Sequence, residues 1–444
     1  MNFNLKTKDY SIRLKGNKFK QIFHLLPFNI QFKSVIFSIC FFSIPCVCLG
    51  LFLEGDFRYV HDPSIIKHDG WYYLFSTGLG VPVKKSKDLF TWIPSKSVFE
   101  KNPNWASKTI PQVKDLWAPD ICFYNNKYHL YYSVSSQGNG NKSAIGLATN
   151  KTLDQASSDF KWKDKGMVID SIPGRDDFNA IDPNFILDEA NKPWLAFGSY
   201  WDGIKIIQLD EKTGKRSKTN QVIHSIASRN GGAIEAPFII KKNGFFYLFV
   251  SFDACCRGTE STYKTMCGRS KKITGPYLDF TGKPMAEGGG TLILSSYKNI
   301  RGPGHNAILV DKPKDYFIHH FYDATANGLM TLQIRPLFWL ANGWPIVGEP
   351  ITKDTNVKTA FKMTGKWRLS VDYQNEREIY LNDNGHINQK NSPHTWDLRA
   401  SNLTLKWSPK NGKDKVFVDD CIVSPDGRYF VGRNQQGAVI SGIR

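Results

Sequence analysis

HDPSII (residues 61–66) followed by WYYLFST (71–77) decides the fold, because the same pairing returns four more times. The others are WAPDICF (117–123) with YHLYYSV (128–134), IDPNFIL (181–187) with WLAFGSY (194–200), IEAPFII (234–240) with FFYLFVS (245–251), and GHNAILV (304–310) with YFIHHFY (316–322). In each, a polar residue beside Pro or a small residue precedes an aromatic strand. Each pair reads as a β-hairpin, closed by turns such as His68-Asp69-Gly70 and Lys242-Asn243-Gly244. The polar centres Asp62, Asp120, Asp182, Glu235 and His305 stand 53 to 70 residues apart, enough for a four-stranded antiparallel blade with loops. The expected fold is therefore all-β, a five-bladed β-propeller over residues 54–350. The innermost strands of a propeller line a central channel, so residues at the same place in each repeat are expected on one ring.

After Pro345 the repeat stops and a second alternation begins: KWRLSVDY, EIYLND, TLKW, VFVDD and RYFVG. A small β-barrel or sandwich is expected over 359–444, as an accessory domain. At the other end, residues 1–53 pair a basic start with an apolar run from Ser34 to Leu53. That is the pattern of an export signal, or of a signal anchor able to attach the chain to a membrane through residues 34–53. The expected location is secreted or otherwise outside the cytoplasm.

The formal charge of +18 invites a nucleic-acid reading, but seven cations against Asp9 in the first 33 residues account for six of it. The rest is scattered, with no Lys/Arg stripe, so no nucleic-acid partner is expected. Of eight cysteines, Cys40, Cys46 and Cys48 fall in the apolar run, and Cys122, Cys255, Cys256, Cys267 and Cys421 remain. An odd remainder argues against a full disulfide framework, and no C-x-x-C spacing supports a thiolate zinc site.

Asp62, Asp182 and Glu235 carry the chemistry. Burying three acids together without cationic partners costs free energy, which calls for a chemical explanation. Glycoside hydrolysis provides one. An inverting enzyme needs a carboxylate base to activate water and a carboxylic acid to protonate the leaving oxygen, and a third acid can raise the donor's pKa. A single Asp-Pro pair would more simply be a turn cap; the set within a five-fold repeat points to catalysis.

The order HDPS, AIDPNF, IEAPF and GPGHN resembles glycoside hydrolase family 43, in particular its endo-α-1,5-L-arabinanases. The likeness runs over about Phe57 to Gly348 and includes LWAPD (116–120), SAIGLAT (143–149), GSYWDGIK (198–205), CCRGTESTYK (255–264) and LQIRPLFW (332–339). It implies Asp62 as general base, Glu235 as general acid, and Asp182 as the residue that tunes and orients the acid. It also implies that Asn179, Ala180, Ile181 and Asp182, with Ser199, Tyr200 and Trp201, contact arabinose. Trp117 and Trp201 would offer faces for sugar stacking, and Gly138 would contribute backbone.

His305, which on its residues alone reads as a buried, hydrogen-bonded histidine, is implied to face a calcium ion coordinated largely by water. Cys255-Cys256 is implied to shape a loop. The substrate would be arabinan, the side chains of pectin, and the protein a monomer. Two other functions stay open: an exo-acting arabinofuranosidase or β-xylosidase of the same family, and a carbohydrate-binding propeller without chemistry. Asn141, Asn150 and Asn402 stand in glycosylation sequons.

Overall fold

The computed structural model describes residues 53–353, 362–409 and 415–444. Each of the five hairpins grows into an antiparallel sheet. Blade 1 comprises Ser64–His68, Trp71–Phe75, Val83–Ser86 and Thr91–Ser95, with Glu54–Gly55 added in parallel at its outer edge. Blade 2 runs through Trp117–Tyr124, Lys127–Val134, Ser143–Asn150 and Lys163–Ser171; blade 3 through Asn184–Leu187, Pro193–Phe197, Ile204–Gln208 and Ile223–Ala227. Blade 4 is Ile234–Lys242, Phe245–Phe252, Lys264–Ser270 and Thr291–Leu294, and blade 5 is Ile300–Asp311, Lys314–Asp323, Leu329–Trp339 and Pro345–Val347.

The hairpin turns form because their residues accept positive φ. Asp69-Gly70 and Asn243-Gly244 sit at φ 46° and 75°, and 50° and 75°, the two-residue geometry that matches strand twist. Between blades the core is apolar. Blade 1 meets blade 2 through Tyr73, Phe75, Leu130 and Tyr132, and the ring closes where Ile65, Leu74 and Trp92 of blade 1 pack on Leu309, Ile318 and Ile334 of blade 5.

One hydrogen-bond device repeats around the inner ring. Ser64 Oγ accepts the Ile121 N–H at 3.1 Å, Asp120 Oδ2 the Phe185 N–H at 2.7 Å, and Asn184 Oδ1 the Ile239 N–H at 2.8 Å. Each side chain ties its innermost strand to the next blade, satisfying a donor that the ladder leaves over.

Seven further strands, from Gly365–Val371 to Val439–Ile443, make one antiparallel sheet curled into a half-barrel. It buries Trp367, Leu381, Leu403 and Phe430 in a core of its own. Its seam with the propeller is also apolar, Leu340 and Ile346 meeting Tyr429, Val431 and Val439. Buried Arg433 donates across this seam to the Pro345 carbonyl at 3.1 Å. The proposed leader or anchor over 1–53 lies, apart from Leu53, outside the described residues. No helix among those described is long and apolar enough to cross a membrane.

Candidate active site

The repeat converges on a ring, but in a different register from the one the acids suggest. The structurally equivalent residues are Asp62, Ala118, Asp182, Ala236 and His305, with φ of 52°, 43°, 58°, 57° and 47°. Ladder irregularities between Trp117 and Asp120, Glu235 and Phe238, and Gly304 and Ala307 mark the same position as a bulge. Glu235 therefore stands one residue before the shared position and Asp120 two residues after it. The proline that follows the shared residue in four blades was the better sequence marker.

A left-handed conformation costs roughly 1–2 kcal/mol for a residue with a Cβ, and here a backbone hydrogen bond offsets it each time. The N–H of the shared residue is taken by the preceding blade: Ala118 by Thr77 Oγ1 at 2.8 Å, Asp182 by Ser133 Oγ at 2.9 Å, His305 by Ser251 Oγ at 2.9 Å, and Asp62 by His320 Nδ1 at 3.1 Å. Blade 3 has Gly198 at this point, since a Cβ there would lie 2.4 Å from the Gly203 carbonyl oxygen. Asp182 fills the gap, its Oδ2 accepting the Ala236 N–H at 3.1 Å. The carboxylate thereby holds the peptide that follows Glu235.

Asp62 is gripped on both oxygens. Thr77 Oγ1 donates to Oδ2 at 2.6 Å, while His61 Nδ1 and His305 Nδ1 lie 2.8 and 3.0 Å from Oδ1. Burial pushes its pKa up, but the electrostatic pull and the hydrogen bonds of the His61 and His305 rings prevail and hold it well below the usual carboxylate range. Asp182 behaves oppositely. Burial raises its pKa to about 8, with Glu235 and Asp62 adding to the rise and His305 opposing it. His305 is pushed to about 9: burial lowers it, but Asp62, Asp182 and Glu235 outweigh that effect.

Glu235 is half-buried, with Oε1 accepting from the Tyr263 hydroxyl at 2.6 Å and Oε2 from Ser199 Oγ at 2.8 Å. The Tyr263 ring reaches it because Gly304 makes room: a Cβ there would lie 2.2 Å from Tyr263 Cδ1.

The remaining expected contacts divide. Ser199 bridges to Glu235, and Tyr200 and Trp201, the next two residues along the chain, are each 37% exposed. Trp117 is half-buried next to Ala118. Ala180 is fully buried in the core between blades 2 and 3. Asn179 and Ile181 are also buried. Gly138 sits exposed in a turn at φ 84°, and no described contact joins it to the acids.

Asp120 is an interblade tie, its pKa raised by burial to about 7. Asn141 and Asn150 are buried; Asn141 donates to the Asp176 and Phe178 carbonyls, both at 2.9 Å. Only Asn402 of the three sequons is exposed. Cys255 and Cys256 form a disulfide, while Cys122, Cys267 and Cys421 are free.

His61, Asp62 and His320 lie close enough to suggest a metal centre, but the two imidazoles stack with centroids 3.9 Å apart, so their in-plane lone pairs do not converge. For calcium, which favours six to eight oxygens, His305 offers one ring nitrogen beyond the Nδ1 engaged by Asp62. That donor set suits only an ion that keeps most of its own water.

The description "Glycosyl hydrolases family 43" belongs to the family model that matches residues 58–345. An extracellular exo-α-(1→5)-L-arabinofuranosidase of Cellvibrio japonicus is 45% identical over 319 residues, 69% of this chain and 91% of the relative. An extracellular endo-α-(1→5)-L-arabinanase of Bacillus subtilis is 46% identical over 293 residues, 64% of this chain and 87% of the relative. The structure of a Cellvibrio cellulosa α-L-arabinanase complexed with arabinohexaose matches with a TM-score of 0.63 at 44% identity, covering 65% of this chain and 95% of that one. An endo-1,5-α-L-arabinanase structure from Thermotoga petrophila, at 24% identity and a TM-score of 0.73, covers 88% of this chain and 99% of its own, a likeness of fold alone. With a family match spanning most of the blades and relatives matched over nearly their whole length, the chain is a glycoside hydrolase belonging to family 43.

Proposed function

We propose that this chain cleaves internal α-1,5-L-arabinofuranosidic bonds of arabinan with inversion, Asp62 acting as general base and Glu235 as general acid. One observation carries the reading: two carboxyls of one ring are held in place by different partners, Asp62 of blade 1, buried, by Thr77, His61 and His305, and Glu235 of blade 4, half-buried, by Tyr263 and Ser199. Ionised Asp62, fixed by Thr77, His61 and His305, takes a proton from the water that attacks the anomeric carbon. Glu235 is the less buried partner, and its hydrogen-bond partner Ser199 leads into the exposed residues Tyr200 and Trp201, which supports its delivering a proton to the leaving oxygen of a sugar bound there. Asp182 orients Glu235 through the Ala236 amide. Blades 1 and 4 are not neighbours, which supports a separation with room for water, about 6.5–9.5 Å in inverting enzymes.

The exposed rings of Tyr200 and Trp201 favour an open groove and internal cleavage; the 45% identity to an enzyme named as exo-acting favours the alternative. Digestion of linear α-1,5-arabinan by residues 54–444 tests both. A ladder of short oligomers at early times is expected, lost in Asp62→Asn and Glu235→Gln. Arabinose alone from the start indicates exo action, and sugar binding without products indicates a binding module. Calcium, when bound, would be held by His305 with water completing its shell and would add positive charge near the acids. Activity should then fall on chelation and return with calcium; activity indifferent to chelation contradicts that part. Secretion is supported by the two relatives named extracellular.

A further inference from the structure

Tyr322 has no part in the chemistry proposed above, yet its hydroxyl joins the disulfide loop to Asp62. Tyr322 is the last residue but one of the second strand of blade 5, and its oxygen accepts the backbone N–H of Cys256 at 2.8 Å. The same hydroxyl lies 2.8 Å from His61 Nε2, and His61 Nδ1 lies 2.8 Å from Asp62 Oδ1.

Direction along this chain follows from donor counting. An ionised carboxylate only accepts, so His61 must present N–H at Nδ1; a neutral imidazole then has a bare Nε2 that needs a donor. Tyr322, whose oxygen already receives the Cys256 N–H, has its own O–H left for that purpose. Without the hydroxyl, the His61 proton is free to sit on Nε2, and a bare Nδ1 would face the Asp62 carboxylate.

The Cys256 amide would be a poor anchor on burial alone, because Cys256 is exposed. It is fixed covalently instead. The Cys255–Cys256 bond closes a small ring around one peptide, with Cys256 left-handed at φ 65°. The loop is tied again where Thr262 Oγ1 accepts the Ala254 N–H at 3.2 Å and Ser261 Oγ the Arg257 N–H at 3.0 Å.

We propose that Tyr322 is a positioning residue for Asp62: held by the disulfide-fixed Cys256 amide, its hydroxyl keeps the His61 proton on Nδ1, where it orients the carboxylate. The inference rests on the reading of Asp62 as general base.

The test is a double-mutant cycle in residues 54–444, assayed on linear arabinan. Tyr322→Phe keeps the ring that packs edge-on to His320 at 5.4 Å and removes only the hydroxyl. It should lower kcat about tenfold with KM within about twofold, well short of the roughly 10²–10⁴-fold effect of a lost general base. His61→Asn places an amide N–H near the Nδ1 position with no tautomer to set, so it should stay within about tenfold of wild type, and adding Tyr322→Phe should cost nothing more.

A tyrosine acting only on structure would lower kcat by the same factor in either background. That outcome, a wild-type kcat for Tyr322→Phe, or a His61→Asn variant as inactive as Asp62→Asn overturns the proposal. Should Tyr322→Phe not fold, the Cys255→Ser/Cys256→Ser pair replaces it in the same cycle, with a smaller loss expected in the His61 background and none in the Asn background. An active Asp62→Asn would sink the general-base reading itself, whereas an inactive Asp62→Asn beside a fully active Tyr322→Phe sinks only the positioning role.

Discussion

Burial holds the Asp182 carboxyl protonated up to about 8, whereas an aspartate in an unfolded chain ionises near about 3.9. Between those values the native chain binds the extra proton, so this residue makes stability fall as pH rises through the window. Asp182→Asn should therefore raise Tm over wild type at pH 8, with the gap closing toward pH 4, while arabinan hydrolysis is lost. A gap that does not vary with pH would count against the assignment. Asp62 has the opposite sign. Its depressed pKa contributes stability that is present above about 3.9 and lost as pH falls through the folded value. Asp62→Asn should lower Tm at pH 7 and reduce kcat by at least about a hundredfold, seen by calorimetry and reducing-sugar assay. His305 stabilises fully below about 6.5, and its contribution disappears as pH rises through about 9.

The hairpins could be read from the sequence because their turns spell out positive φ, as at Asp69-Gly70 and Asn243-Gly244. The blades followed from the repeat of aromatic strands. Register within the ring was not legible from the acids, since Glu235 resembles Asp62 in chemistry while Ala236 matches it in backbone. The partners Thr77, Ser133 and Ser251 were also hidden: a hydroxyl at the end of an apolar strand looks like any other until the next blade arrives. His61 and His320 stood in view, beside Asp62 and within YFIHHFY, but only packing reveals that they stack. Two substitutions test this level. Ser133→Ala leaves the buried Asp182 N–H without its partner and should cost about 1–3 kcal/mol in denaturant unfolding. Gly304→Ala drives a methyl into Tyr263 and should lower kcat by moving the ring off Glu235; an unchanged kcat would mean that Tyr263 does not help hold the acid.

At the scale of the molecule, the half-barrel is joined to blades 4 and 5 through apolar contacts and through Tyr373, whose hydroxyl donates to the Ile293 carbonyl at 2.8 Å. Its strands lie far from the acids in sequence. Val431→Asp would bury an unpaired charge in that seam and should cost several kcal/mol, read as a lower Tm with kcat per folded molecule unchanged. The propeller was legible because five repeats reinforce one another, whereas the seam was not, because Leu340, Ile346 and Val439 look like ordinary strand residues. The central claim is that Asp62 and Glu235 act as base and acid across the ring with water between them. The anomeric configuration of the first products from linear α-1,5-arabinan, followed by proton NMR before mutarotation, tests it most directly. Initial release of β-configured reducing ends, absent in Asp62→Asn, is the predicted result; α-configured ends formed first would contradict it.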